Sequence, residues 1–339
     1  FSIHPRTSIF GYYTRFHGGL LSTLAYIALY YAIVSNLEKN QIMTLLKSSL
    51  LAGILVSLYA IPEHFGFSPS CVLISGQFDT SCWVQDVQHR VFATLGQPNW
   101  LAAYLISLLP LAFVFYLLKK NHQLKKVENT FDLPAKFYLV ANLLLFTTLI
   151  FTKSRSGFLG LAVGIGLVIV GYYLRQDFEL KINKKLLTNP LTSLVIAFLS
   201  LTLVFGSPFT PSLSQIWQKL NQPPNIDQQP SETDELSSSL QRGTGSGKIR
   251  QIVWQGAINI WKEYPLFGSG VETFAYSYYQ HRPMSHNIVS EWDFLYNKAH
   301  NELLNILATT GIFGLATYLW FLGTLTWIGL KPLLSQLQA

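Results

Sequence analysis

Long apolar blocks constrain this chain more than any other feature of its sequence. A membrane-spanning helix needs about 20 mostly apolar residues. Seven windows come close to that length: Gly19–Asn36, Met43–Ile61, Asn99–Leu118, Phe137–Thr152, Gly157–Leu174, Pro190–Phe205 and Leu303–Leu330. A large soluble helical protein would instead show polar faces recurring with the helical period, and these are largely absent. Only 12% of the residues are charged, against about 25% in soluble domains. The sequence therefore predicts an all-α fold, a multi-pass transmembrane helical bundle with about seven spans.

The spans divide the chain into three regions. Residues 1–206 are predicted to form a transmembrane helical region, 207–299 a large external loop, and 300–330 a C-terminal transmembrane helix. Within the loop, 207–248 has the Pro-, Gln- and Ser-rich composition of a flexible linker, and 249–299 is expected to form the site. Because the chain begins with Phe1 and shows no signal peptide, we expect a fragment with further spans upstream.

Lysine indicates the orientation of the spans. The connections 119–136 and 175–185 are short and rich in lysine, and short basic loops stay on the cytoplasmic side. Alternating the spans from these loops places 11 of the 16 lysines inside. The same alternation places the loop 207–298 outside.

Arginine sorts the other way. Seven of the eight arginines are predicted outside: Arg6, Arg15, Arg90, Arg155, Arg242, Arg250 and Arg282. The flat guanidinium matches phosphate and carboxylate oxygens in pairs. The set therefore indicates an outward-facing anion site, with a diphosphate as the obvious ligand, although lipid phosphates at the interface are the alternative for each arginine.

The second half of the outer loop carries the polar candidates. "KIRQIVWQGAINIWKEYP" has the apolar spacing of an amphipathic helix, which Pro265 should end. The following stretch "MSHNIVSEWDFLYNKAHNE" holds His286, Glu291, Asp293 and His300 among aromatic residues. This composition is typical of a carbohydrate-binding surface and also of any membrane interface. Asn301 and Glu302 are predicted to start the last helix.

Other chemistry-bearing patterns are weaker. Cys71 and Cys82 share one outer loop and could form a disulfide in an oxidising compartment. "GTGSGK" lacks the phosphate-loop pattern, because Arg242 stands where glycine is needed and Ile249 follows Lys248. No H-x-x-x-H or similar spacing occurs. We therefore expect no nucleotide, no nucleic-acid partner, no metal and no cofactor.

Four motifs occur in a recognisable order along the chain. They are "RVFATLGQPNWLAAYL", "TKSRSGFLGL", "IRQIVWQGAINIWKEYPLFGSGVETF" and "KAHNELLNILATTGIFGL". Together they resemble the O-antigen ligase and polymerase superfamily of bacterial membrane glycosyltransferases, from Arg90 onward. In that family a lipid-diphosphate-linked glycan is transferred to an acceptor at the outer face of the inner membrane, without nucleotide sugar or a required metal.

The resemblance implies roles for three residues. The family's arginine in S-R-S-G corresponds to Arg155, its loop arginine four residues before tryptophan to Arg250, and its histidine in H-N-x-x-L to His300. The two arginines would bind the donor diphosphate, and His300 would act as the base for the acceptor hydroxyl, with inversion at the anomeric carbon. Further candidates for phosphate or acceptor contacts are Arg15, Arg90, Arg282, His286 and Glu291; Glu291 could instead pair with Arg282.

Several functions stay open at this point. The acceptor could be lipid A core, a growing glycan or a protein, which correspond to a ligase, a polymerase or a protein O-oligosaccharyltransferase. An anion transporter, for bicarbonate for example, is the alternative from another class. A transporter should carry ionisable residues within its spans, and apart from Lys47 these spans hold almost none. The sequence therefore favours the enzyme, with membrane lipids and a polyprenyl-diphosphate glycan as partners.

Overall fold

A computed structural model describes residues 1–14, 16–120, 133–174, 190–221 and 245–335. In this part of the chain twelve α-helices follow one another. They are α1 Pro5–Phe10, α2 Leu20–Asn36, α3 Lys39–His64, α4 Pro69–Ser75, α5 Pro98–Lys120, α6 Ala135–Thr152, α7 Arg155–Leu174, α8 Pro190–Phe205, α9 Leu213–Asn221, α10 Ser246–Glu263, α11 Phe274–His281 and α12 Glu302–Ser335. Short 3₁₀ turns lie at Ala93–Leu95 and Met284–Ile288.

Each of the seven apolar windows coincides with one helix. Within the described residues, α3, α5, α6 and α12 are long and apolar enough to cross a membrane. The helices α2, α7 and α8 contain shorter apolar stretches. The predicted all-α membrane fold is therefore confirmed.

The chain separates into two compact units. Unit 1 comprises residues 1–37 and 225–332, and unit 2 comprises 38–224 and 333–339. The first two helices thus belong with the C-terminal third of the chain. Each unit is described by itself below.

Unit 2 is a bundle whose centre is formed by α3, α5 and α6. Leu105 and Leu109 of α5 and Leu145 and Leu149 of α6 are all fully buried or nearly so. Gly53 lets α3 approach these helices closely, because a Cβ there would clash with Leu108. Lipid tails are as apolar as the side chains, so the hydrophobic effect does not drive these helices together. Close packing of this kind holds them together instead.

Within the described residues of unit 2, Arg90 and Arg155 share one end of the helices with Lys153, and most other lysines lie at the opposite end. Arg90 donates to the carbonyl of Thr152, the last residue of α6, and to Asn99 at the start of α5. Four lysines lie at the other ends of helices in this unit: Lys39 of α3, Lys119 and Lys120 of α5, and Lys136 of α6. The arrangement agrees with the opposite sorting of lysine and arginine in the sequence.

The segment 207–248 differs in part from the predicted linker. Its residues Leu213–Asn221 form α9, and α10 already begins at Ser246. The backbone N–H of Ser212 donates to the Gln215 side chain and the N–H of Gln215 to the Ser212 hydroxyl, which together form a capping box. The Ser-x-x-Gln capping signal thus favours a helix here although the polar composition predicted a linker. Residues 222–244 lie outside the described part.

Unit 1 contains a break within its longest helix. Gly311 in α12 has φ 68° and ψ −168°, a conformation open essentially to glycine alone. The break takes backbone groups out of the helical hydrogen-bond ladder. Within a membrane such groups must find other partners, because each unpaired one costs several kcal/mol.

The turn that follows α10 supplies those partners through its own backbone. Ser269 and Gly270 donate to the carbonyls of Ala308 and Thr309, at 3.0 and 2.9 Å. In return, the N–H groups of Ile312 and Phe313, just after the break, donate to the carbonyls of Pro265 and Leu266 at 3.0 and 3.4 Å. We call this exchange of four backbone hydrogen bonds the interlock.

Two glycines allow the interlock to form. A Cβ on Gly311 would overlap the Leu266 carbonyl, and one on Gly268 would overlap the backbone of Thr309. Both residues also have positive φ. Gly268 of "LFGSG" and Gly311 of "TTGIFG" therefore serve the close approach of two main chains.

Replacing Gly311 with alanine should destabilise unit 1. The new Cβ needs a conformation that costs about 1–3 kcal/mol for an L residue and also collides with Leu266. We expect a clearly lower unfolding temperature by scanning fluorimetry in detergent or nanodiscs. The matched control is Gly323→Ala in the same helix, where a Cβ meets open space. Equal unfolding temperatures for the two variants would contradict the interlock.

Candidate active site

Arg250 is exposed to solvent on α10. Ile249, Val253, Ala257 and Ile260 are buried along one stripe of the helix, as the apolar spacing predicted, and Arg250 lies at the edge of that stripe. The helix ends at Glu263, just before Pro265. The amphipathic helix is thus confirmed, and its burial pattern leaves the Arg250 guanidinium accessible to an anion.

His300 is exposed and immediately precedes α12. Its φ of 52° lies in the left-handed region, which is uncommon for a residue with a side chain. The residues around it fix this conformation. The side chain of Asn301 accepts a hydrogen bond from the Leu304 N–H, and the side chain of Asn305 accepts one from the Ala299 N–H, both at 3.3 Å. The predicted helix start at Asn301 and Glu302 is confirmed.

Tyr296 lies among three of the predicted site residues. Its ring is perpendicular to that of His300, with centroids 5.5 Å apart. Its hydroxyl donates to the carboxylate of Glu291. Burial raises the pKa of Tyr296, and the Glu291 hydrogen bond and charge raise that pKa further, whereas the positive charge of Arg250 opposes the rise. Glu291 and His300 therefore contact one buried tyrosine directly, and the charge of Arg250 acts on the same tyrosine.

His286 is completely buried and uses both ring nitrogens. Its Nδ1 is 2.6 Å from the Tyr278 hydroxyl, and its Nε2 is 3.1 Å from the Glu291 carbonyl oxygen. Since the carbonyl can only accept, Nε2 carries the proton and Nδ1 accepts from Tyr278. Burial also raises the pKa of Tyr278, to about 12, against the effect of Arg282. In this position His286 links Tyr278 to the backbone of Glu291, and it has no ring nitrogen left to contact a substrate.

Arg282 and Lys298 hold the loop between α11 and α12. Arg282 donates to the backbone carbonyl of Trp292 at 3.2 Å, and Trp292 lies between Glu291 and Asp293 in the sequence. Lys298 forms an ion pair with Glu272, with 3.4 Å between the charged atoms. These contacts fix both sides of the segment that leads to His300.

Arg155 is the first residue of α7 and is exposed. The preceding Ser154 is buried, and its hydroxyl donates to the Asn99 side chain at 3.0 Å. The same Asn99 oxygen accepts from Arg90 at 3.3 Å. Asn99 thus links Arg90 to the start of α7, and at least part of the Arg90 guanidinium supports this helix end.

A buried carboxylate supports the same end of unit 2. Glu63 accepts from the Ser68 hydroxyl at 3.0 Å and from the Ala93 N–H at 3.1 Å. The Trp83 indole donates to that Ser68 hydroxyl at 3.1 Å. The loop between Ser68 and Trp83 is closed by a disulfide that joins Cys71 and Cys82.

The structure thus distributes the predicted residues over two units. Unit 1 brings together Arg250, Arg282, His286, Glu291 and His300, and unit 2 contains Arg90, Arg155 and the disulfide. Arg15 and Arg242 lie outside the described residues.

Sequence reasoning missed Tyr296, Asn99 and Glu63, whose roles depend on contacts between distant segments or on burial. Of these three, only Glu63 could have been noticed in the sequence, because a carboxylate at the end of an apolar block must find hydrogen-bond or charge partners.

The fold defines a multi-pass helical membrane protein. Its candidate site residues, two arginines and a histidine, are exposed in or beside the first turns of helices. The model of the O-antigen ligase family matches residues 140–319, more than half of the chain. The chain therefore belongs to the O-antigen ligase family, and so to the membrane enzymes of glycosyltransferase type. The matched range contains Arg155, Arg250 and His300. Comparisons with curated proteins and with solved structures gave no match.

Proposed function

We propose that this protein transfers a glycan from a polyprenyl-diphosphate donor to a hydroxyl acceptor at the outer face of the bacterial inner membrane. The observation that supports the proposal is the position of His300, which is exposed beside the start of a membrane-spanning helix and contacts Tyr296, on which the charge of Arg250 also acts. In the proposed site, His300 would serve as the base and Arg250 as the phosphate-binding cation. The separation of lysines and arginines in unit 2 supports the orientation, with the large loop on the periplasmic side.

The reaction we propose is a single displacement. The acceptor oxygen attacks the anomeric carbon, its proton passes to a ring nitrogen of His300, and the bond from the anomeric carbon to the diphosphate oxygen breaks with its electron pair. An imidazole suits the first task because its unperturbed pKa is about 6.5. The Arg250 guanidinium stabilises the charge that develops on the diphosphate. Neither a metal nor a covalent enzyme intermediate is required, and the anomeric configuration inverts.

Arg155 has the same proposed role as Arg250, on the evidence of its sequence pattern and its exposure. A guanidinium at a helix N-terminus adds to the partial positive charge there, so that phosphate binding would relieve the repulsion. Asn99 and Ser154 hold the backbone beside it.

Ligase, polymerase and protein O-oligosaccharyltransferase share this donor chemistry and differ in the acceptor. We favour the ligase because of the family match. Purified protein should be given polyprenyl-diphosphate oligosaccharide with lipid A core, free glycan or an acceptor protein. Transfer to lipid A core would support the ligase. Transfer to free glycan would indicate a polymerase instead, and transfer to the acceptor protein would indicate a protein O-oligosaccharyltransferase. Bicarbonate flux into liposomes without any glycan transfer would instead favour the anion transporter.

His300→Ala should reduce glycan transfer by about 100- to 10,000-fold, the usual contribution of a general base. The rate is measured in nanodiscs as loss of lipid-linked donor, on protein whose insertion and unfolding temperature match the wild type. His17→Ala, which removes an exposed histidine of unit 1, is the control and should retain full activity. Transfer at the wild-type rate by the His300 variant would rule out a histidine base.

Arg250→Lys should raise the donor KM by about ten-fold or more, because lysine keeps the charge but loses the paired hydrogen bonds of the guanidinium. Lys262→Ala removes an exposed charge from the same helix and is the control. Lys262→Ala should leave the donor KM unchanged. A donor KM that Arg250→Lys also leaves unchanged would show that the paired hydrogen bonds of the guanidinium are not used, so that Arg250 is no specific ligand.

A further inference from the structure

The hydrogen bond between Tyr296 and Glu291 has no task in the reaction described above. Tyr296 is 5% exposed, so that its hydroxyl cannot rely on water for a partner. It donates to the Glu291 carboxylate instead. A charge-assisted bond from a buried tyrosine, directly beside a candidate base, calls for a physical explanation.

The pair is held rigidly on several sides. The Tyr296 ring makes edge contacts with Phe294, His286 and Tyr278, with centroids 5.0, 5.6 and 6.1 Å away. Glu291 is fixed at two atoms, since its carbonyl accepts from His286 and its carboxylate from Tyr296. His286 is in turn bonded to Tyr278. The chain Tyr278–His286–Glu291–Tyr296 thus leads from the buried core of unit 1 to the ring that faces His300.

The His300 imidazole lies edge-on to the Tyr296 ring. The His300 side chain is exposed and projects from a left-handed residue, outside the regular helix. Perpendicular aromatic contacts have a preferred geometry and are worth about 0.5–1.5 kcal/mol. Such a contact narrows the rotation of the imidazole. Orientation of a base matters strongly, since a displacement of about 1 Å can cost about 100-fold in rate.

We infer that Tyr296 is a positioning residue that orients the His300 imidazole, and that its hydrogen bond to Glu291 keeps the Tyr296 ring in place. The effect on catalysis rests on the proposed function, whereas the orientation of His300 does not. Glu291 then acts through Tyr296 as a hydrogen-bond acceptor, and its negative charge is not what the site needs.

Four variants separate these roles. Tyr296→Phe keeps the ring and removes the hydroxyl, and Glu291→Ala removes the acceptor. Glu291→Gln keeps an acceptor oxygen without the charge, so it should retain more of the wild-type behaviour than Glu291→Ala. Tyr279→Phe is the matched control, because it removes a hydroxyl from an exposed tyrosine of the same unit.

Two readouts are needed. The first is the His300 ring signal in ¹³C-histidine-labelled protein in nanodiscs, assigned by its loss in His300→Ala. The second is the kcat and donor KM for glycan transfer. We expect Tyr296→Phe and Glu291→Ala to move the His300 signal and to lower kcat about 10- to 100-fold with donor KM unchanged. Glu291→Gln should lie closer to the wild type than Glu291→Ala in both readouts, and Tyr279→Phe should match the wild type.

An unmoved His300 signal in Tyr296→Phe overturns the inference, whatever the activity. A Glu291→Gln variant as impaired as Glu291→Ala also overturns it, since the charge would then be what matters. If even the wild type transfers no glycan, the proposed function fails, and a signal that moves in Tyr296→Phe but not in Tyr279→Phe still supports the positioning of His300.

Discussion

The peptide groups beside Gly311 need hydrogen-bond partners where the membrane offers none, and the turn after α10 provides them. Four backbone bonds therefore join residues 265–270 to the two sides of the break in α12. The turn continues directly from the helix that carries Arg250. The part of α12 that this turn holds runs from Glu302 to the break and begins two residues after His300. One interlock thus connects the helix of the phosphate-binding candidate to the helix of the candidate base.

The short first part of α12 is fixed at both ends. Asn301 caps its start, and the turn captures the carbonyls of Ala308 and Thr309 at its end. This part is about 15 Å long at the helical rise of about 1.5 Å per residue. His300 is therefore attached to a rigid element although its own side chain is exposed. Catalytic groups on rigid elements keep their orientation better than groups on loops.

Much of this architecture could be predicted from the sequence because it depends on composition and local spacing. The seven apolar blocks indicated the helices, the spacing of Ile249, Val253 and Ile260 indicated the amphipathic helix, and Asn301 indicated the helix start. The interlock could not be predicted, since nothing in "LFGSG" shows which backbone groups it will meet. Tyr296 was missed for the same reason. Its importance comes from contacts with His300 and Glu291, and aromatic residues are common at any membrane interface. The shared donor role of Arg155 and Arg250 stays a prediction.

The central claim is a direct displacement at the anomeric carbon with His300 as the base. The most direct test is the anomeric configuration of the product, determined by NMR after transfer from a donor of defined linkage. A single displacement predicts inversion in the wild type. Retention of configuration would contradict the account, because it requires a second displacement through a covalent intermediate.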